Sequence, residues 1–186
     1  MAAALLSLLP VLPAGCGGDD AQAARLVQEA DALRVSVADT FRQTTAAMDS
    51  LVQGAATGHA LPPNQTGDAT QMAVSNLESA LGVLTVRDSK LKEAQRLDLG
   101  ATYQDYLTLL VQGNDKLTES ISMTLEIPRL LEREQFALAG WDEIRTETVV
   151  NEIHGMQQQI QQVYADSESL RLRAEQLKKD NPGTFT

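Results

Sequence analysis

Cysteine is almost missing from this chain: among 186 residues only Cys16 is one. That excludes an intramolecular disulfide and a thiolate metal site, both of which need more than one sulfur. Histidine is nearly as scarce, with His59 and His154 alone. Aromatic residues amount to 4%, so a core built on rings is excluded and aliphatic seams must supply the packing. An excess of positive charge is lacking too, because 15 Lys and Arg face 25 Asp and Glu, for a formal charge of −10. Such a surface repels phosphates, which excludes nucleic-acid binding. No apolar run reaches the roughly 20 residues of a membrane-spanning helix. Walker loops, nucleophile elbows and the HExxH motif are absent, and so is the CxxCH haem attachment. The chain is read as no enzyme, with no cofactor and no metal.

What is present is helical periodicity. From about residue 21 to residue 57 there is no Pro and a single Gly, Gly54. Leu26, Ala30, Leu33, Val37, Thr40, Thr44, Ala47 and Leu51 alternate spacings of four and three, the seam of a packed helix. Residues 58–67 carry two prolines and two glycines and read as a loop. Asp68 with Gln71 reads as the capping box of a second helix reaching about Leu99. Its stripe is Val74, Leu77, Leu81, Leu84 and Leu91, with Asp88 the one charge falling on it.

Gly100 suits a helix stop, and Thr102 with Asp105 reads as a fresh start. Tyr103, Leu107, Leu110, Leu117 and Ile121 carry the third stripe. The third helix ends either at Pro128 or, with Pro128 as a kink, at Gly140. Val149, Ile153, Met156, Ile160, Val163, Ser167, Leu170, Ala174 and Leu177 form the most regular seam. The expected fold is all-α: an antiparallel up-down four-helix bundle with long helices over 21–180, and a loose tail over 181–186.

The amino-terminal segment carries an address. The apolar run from Ala2 to Leu12 ends in Leu12-Pro13-Ala14-Gly15-Cys16. This resembles the lipobox of a bacterial lipoprotein signal peptide, although Pro13 stands where the lipobox prefers Leu and no basic residue precedes Arg25. An apolar core of about 11 residues fits a signal peptide. The resemblance implies cleavage after residue 15 and lipidation of Cys16. Residues 16–20 then form an acylated, flexible tether, and more than one acyl chain gives durable anchoring. It also implies a bacterial cell envelope, with the outer membrane slightly favoured because Gly17 is not the Asp that marks inner-membrane retention. The body then sits in the periplasm or at the cell surface.

Candidate functional residues are few. His59 lies in the Pro-rich loop and reads as solvated. His154 flanks Ile153 at a helix boundary, and Glu152-Ile153-His154 lacks the Glu-x-x-His spacing of di-iron bundles. Asp88 reads as an edge carboxylate paired with Arg87 or Lys92. Trp141, the only tryptophan, either anchors the last turn or offers a partner-binding aromatic. Gln158 and Gln162, with their neighbouring glutamines, offer a neutral hydrogen-bonding face and stand with Trp141 as candidate partner-binding residues.

The expected role is a non-catalytic, membrane-tethered envelope lipoprotein that binds an envelope protein or acts as a spacer. A homo-oligomeric state stays open. The alternative is a sensor-like bundle holding a small molecule between its helices. A pocket between helices would favour binding, and a dry continuous core would favour the spacer.

Overall fold

The computed structural model describes residues 17–185. Cys16 and the lipobox-like segment therefore lie outside the described residues. Five α-helices follow one another: α1 (Gly17–Ala56), α2 (Pro63–Gln95), α3 (Ala101–Thr124), α4 (Glu126–Arg133) and α5 (Glu143–Asp180). No strand occurs among the described residues. The molecule is an all-α helical bundle.

The first helix starts with Asp19 and Asp20 in its first turn, where their charge complements the helix dipole. It ends in a left-handed glycine stop. Gly58 sits at φ 73°, and the His59 amide donates back to the Gly54 carbonyl at 2.8 Å. The loop is shorter than the sequence suggests, because α2 begins at Pro63 rather than Asp68. A proline in the first helical position has its φ preset and lacks an amide that would be unsatisfied there anyway. The expected Asp68 cap is thus corrected: Asp68 is an exposed residue inside α2. The Thr102 start is corrected as well, since Gly100 precedes the first residue of α3. Instead Gln104 holds the junction, its Nε2 donating to the Gln95 and Leu97 carbonyls at 3.1 Å each.

At Pro128 the chain does not turn. Leu125 keeps right-handed angles (φ −58°, ψ −26°), so α3 passes into α4. Pro128 falls in the first turn of α4, where a missing amide is tolerated. The turn comes at Gly140, whose φ of 87° lies in the left-handed region. It belongs to a short π-helical segment, Ala137–Trp141. Asp142 then caps α5, its Oδ1 accepting from the Arg145 amide at 2.9 Å. Thr146 braces this corner by donating its hydroxyl to the Ala137 carbonyl at 2.7 Å.

After Asp180 the described residues 181–185 turn back onto the bundle where the sequence suggests a loose tail. Pro182–Thr184 form a 3₁₀ turn. The Phe185 ring packs on Tyr103 and Tyr106, with centroids 4.8 and 5.0 Å away. An aromatic residue at the chain end has apolar area to bury, and two rings on α3 receive it.

The core divides into three apolar groups along the bundle. One gathers Leu26, Leu91, Leu107 and Tyr106, the next Val37, Leu77, Leu84 and Ile121, and the last Met48, Leu130, Val149 and Ile153. Between the first two lies a polar layer on Arg87. This guanidinium is 2% exposed and donates to the Ala30 carbonyl at 3.1 Å and to Asn114 Oδ1 at 2.8 Å. Nearby, Ser167 on α5 donates to the Gly113 carbonyl on α3 at 2.7 Å. Burial pushes the Arg87 guanidinium down from its ordinary value and the half-buried Asp31 carboxyl up, while their mutual attraction opposes both shifts.

Candidate functional site

The helices do not pack equally. α1 lies closely along α2, and α3 along α5, with α2 also against α3 and α4. The pair α1 and α5 touches only sparingly. Its cross-links are an Arg34–Glu168 ion pair, a stacked Phe41–Tyr164 pair at 5.8 Å and a Gln157 Nε2 to Asp49 Oδ1 hydrogen bond at 2.6 Å. Two of these links, Phe41–Tyr164 and Asp49–Gln157, are made by residues that also line an opening in the seam.

The opening is a groove of about 600 Å³. Its floor is apolar and comes from several helices: Met48 and Val52 from α1, Ile127 from α4 and Ile160 from α5. Its rims are polar, with Asp49 and Gln53 on one side and Gln157 and Gln161 on the other. A second hollow of about 410 Å³ continues along the same seam towards Gly140, and Ala56 lines both. Its walls are small residues such as Ala55, Gly58, Ala60 and Ala139, with Glu143 and Glu147 at the edge. At the second hollow Ala55 and Ala56 at the end of α1, with Gly58 and Ala60 in the loop after it, are small residues that leave space beside α5.

The corner beside this hollow is unusually apolar on its surface. Trp141 is 74% exposed, Phe136 52% and Ile144 81%. The Trp141 and Phe136 rings rest on each other at 5.1 Å. Three large apolar side chains exposed together on one corner form a small patch of the kind partners use. Trp141 therefore presents its ring outward and does not pack the turn.

The other candidate residues fall as follows. His154 is exposed and lines the groove, and His59 is exposed in the loop after α1. Gln158 and Gln162 point away from the groove into solvent, and Gln162 donates to Asp166 Oδ1 at 3.1 Å. Their neighbours Gln157 and Gln161 line the groove instead, one residue or about 100° away around the helix. Asp88 pairs with Lys92 at 2.8 Å and not with Arg87. Arg87, passed over as a mere partner, is the buried charge.

Near the corner, Glu134 accepts from Arg145 Nε at 3.0 Å and also pairs with Arg133. The Arg145 hydrogen bond holds the Glu134 carboxyl below its ordinary value. Among the described residues no group of three or more His, Cys, Asp or Glu side chains gathers as a metal site would require. Nor is any helix of the described residues long and apolar enough to cross a membrane. No family model, curated protein or solved structure matches the chain.

Proposed function

We propose that this protein is a non-catalytic, lipid-tethered component of a bacterial cell envelope that binds a partner along the groove between α1 and α5. The observation that carries the binding reading is the open seam itself. Along this seam the bundle leaves hollows of about 600 and 410 Å³ between polar rims, above floor residues that are themselves buried. The tether rests on the lipobox-like residues ending at Cys16, immediately before α1.

In this reading α3, Leu125 and α4 act as one kinked arm, so the bundle has four antiparallel lengths. The order of the cross-helix bonds supports that. As α1 advances from Arg34 through Phe41 to Asp49, its α5 partners retreat from Glu168 through Tyr164 to Gln157. The 40 residues of α1 span about 60 Å. The groove then lies in the half remote from the anchor, displayed towards the space the protein faces.

A second reading keeps the same site for a small apolar molecule. The groove volume of about 600 Å³ favours it, because ligand pockets commonly enclose roughly 300–1,000 Å³.

Two measurements test the proposal. Expressed in a bacterium, the wild-type chain should sediment with membranes and take up labelled palmitate, and Cys16→Ser should do neither. Retention and labelling of the variant contradict the tether. For the groove, the full chain carrying Cys16→Ser is titrated with the apolar dye N-phenyl-1-naphthylamine. Ala56→Trp, an exposed site lining both hollows, should abolish a saturable fluorescence rise, and Val86→Trp on α2 should not. A response equal in both variants places the dye elsewhere and removes the binding reading.

A further inference from the structure

From the exposed corner after α4 we infer that Phe136, Trp141 and Ile144 dock on a protein surface whose apolar centre is rimmed by Lys or Arg, which Glu143 and Glu147 meet. The inference goes beyond the groove reading. It rests on the corner and the hollow beside it, and it can fail while the groove stands.

Exposure is the first observation. Near the start of α1 the bundle packs its rings, with Tyr103 and Tyr106 buried and Phe185 laid against them. Beside the end of α1 the opposite holds. Trp141 and Phe136 touch each other yet stay largely open to water, and Ile144 follows across the Asp142 cap. The backbone under them is fixed by the left-handed turn at Gly140, the Asp142 cap and the Thr146 bond to the Ala137 carbonyl. Apolar area held out in a preset shape costs little further ordering when a partner covers it.

Charge is the second observation. The two arginines of this corner are engaged internally, since Arg133 and Arg145 both pair with Glu134. Glu143 and Glu147 are exposed, and neither has an ion-pair partner among the described residues. They stand four residues apart on one face of α5, and both edge the hollow of about 410 Å³. Ala56, Gly58 and Ala139 wall that hollow. A Lys or Arg stem can lie along such small walls and bring its charged head to either carboxylate. A guanidinium can also rest on the open face of Trp141.

These charges choose the occupant. A second copy would bring its own Glu143 and Glu147, on a chain of net charge −10, to the contact. Anionic headgroups of a bilayer meet the same repulsion. A basic rim meets opposite charge and leaves the centre of the contact to the rings.

The test uses the full chain carrying Cys16→Ser, in which Trp141 is the only tryptophan and its emission reports the corner directly. The probes are two short tryptophan-free peptides with a Leu centre, flanked by Lys in one and by Glu in the other, and phosphatidylcholine vesicles. The Lys peptide should shift the emission to shorter wavelength and bind at least about tenfold tighter than the Glu peptide. That gap should shrink as salt rises. Ile144→Ser keeps the reporter and should weaken the Lys peptide at least about tenfold. Val86→Ser, at an exposed apolar site on α2, should not. If circular dichroism shows that Ile144→Ser loses helix, Phe136→Ser carries the same comparison. Glu143→Gln with Glu147→Gln should bring the two peptides to equal affinity. Equal affinity in the parent chain overturns the inference. So does a Lys preference untouched by that double variant, which would be attraction to the whole chain's charge. An emission shift as strong with vesicles as with the Lys peptide gives the corner to a bilayer. A concentration-dependent shift without any probe, with dimers in sedimentation, gives it to a second copy. Either result overturns the inference, and so does an emission that no probe moves. The groove is read separately by the dye and Ala56→Trp, so each reading can fail alone.

Discussion

Arg87 is where a single substitution should cost the bundle most. Its guanidinium is buried among α1, α2 and α3, bonded to the Ala30 carbonyl and Asn114 Oδ1, with Asp31 at 3.8 Å. Arg87→Ala removes two stem methylenes, at about 0.8 kcal/mol each. It also leaves the buried Asn114 oxygen without its charged donor, at roughly 1–3 kcal/mol. The expected loss is therefore about 3–5 kcal/mol, from the lost methylenes together with the stranded buried acceptors. Urea denaturation of the full chain followed by helical circular dichroism reads it, with an unchanged m-value as the control. Arg87→Met with Asn114→Leu keeps apolar volume and removes both polar partners, so stability should return to within about 1 kcal/mol of wild type. A loss below about 1 kcal/mol in Arg87→Ala refutes the buried polar layer. A double variant as weak as the single one refutes the view that stranded polarity is the cause.

Ile153→Ala, at a fully buried seam position, should lose about 2–5 kcal/mol in the same assay. Gln159→Ala on the exposed face should change stability by no more than about 0.5 kcal/mol, and equal effects would mean that the buried face of α5 is misplaced. Gly140→Ala should destabilise by about 1–2 kcal/mol, because a Cβ is disfavoured at φ 87°. An unchanged denaturation midpoint would show that the corner does not depend on that angle. Glu134 has its carboxyl held below the ordinary 4.5 by Arg145. Its stabilisation is complete above that pH and is lost as pH falls through the lower folded value. The stability gap between wild type and Glu134→Gln should therefore narrow on acidification, and a gap that widens contradicts the pairing.

Much of the fold was legible because apolar spacing reports burial directly. Leu26, Ala30, Val37 and Thr44 on α1, and Val149, Ile153, Ile160, Ser167 and Ala174 on α5, are buried as their spacing predicts. Met48 and Val52, which widen the α1 stripe in the sequence, are buried, while Ala47 is exposed and Leu51 is half-buried against the core. An α-helix has 3.6 residues per turn, so a seam of alternating fours and threes, which averages 3.5, walks slowly around it and larger neighbours take over. On α2 the buried line is Thr70, Ala73, Leu77, Ala80, Leu84, Arg87, Leu91 and Ala94. With Thr66 four residues before Thr70 that spacing never slips, yet the two threonines and an arginine hide it from a reading that counts only apolar residues. Arg87 was missed for this reason, and Asp88 drew the attention instead. The Pro-rich loop misled because proline excludes helix interiors but favours a first turn.

The groove left a fainter mark. Helical wheels place residues on faces but do not say which neighbouring faces meet, so nothing in the spacing marks α1 and α5 as the loosely joined pair. The glutamine run falls on the segment of α5 that lines the groove. It was one residue out of phase, because Gln157 to Gln162 surround Ile160 on every side and composition alone cannot choose among them. Trp141 was legible only as a choice between packing and display. The decision depended on the turn at Gly140, which swings the ring outward.

The central claim is that the seam between α1 and α5 is the binding surface. The most direct test is a ¹⁵N–¹H spectrum of the full chain carrying Cys16→Ser, titrated with N-phenyl-1-naphthylamine. The account predicts that shifted resonances cluster on α1 from Phe41 to Ala56 and on α5 from Glu143 to Tyr164, with the α2 and α3 outer faces unmoved. Shifts centred on Tyr103, Tyr106 and Phe185, or spread evenly over the bundle, would contradict it.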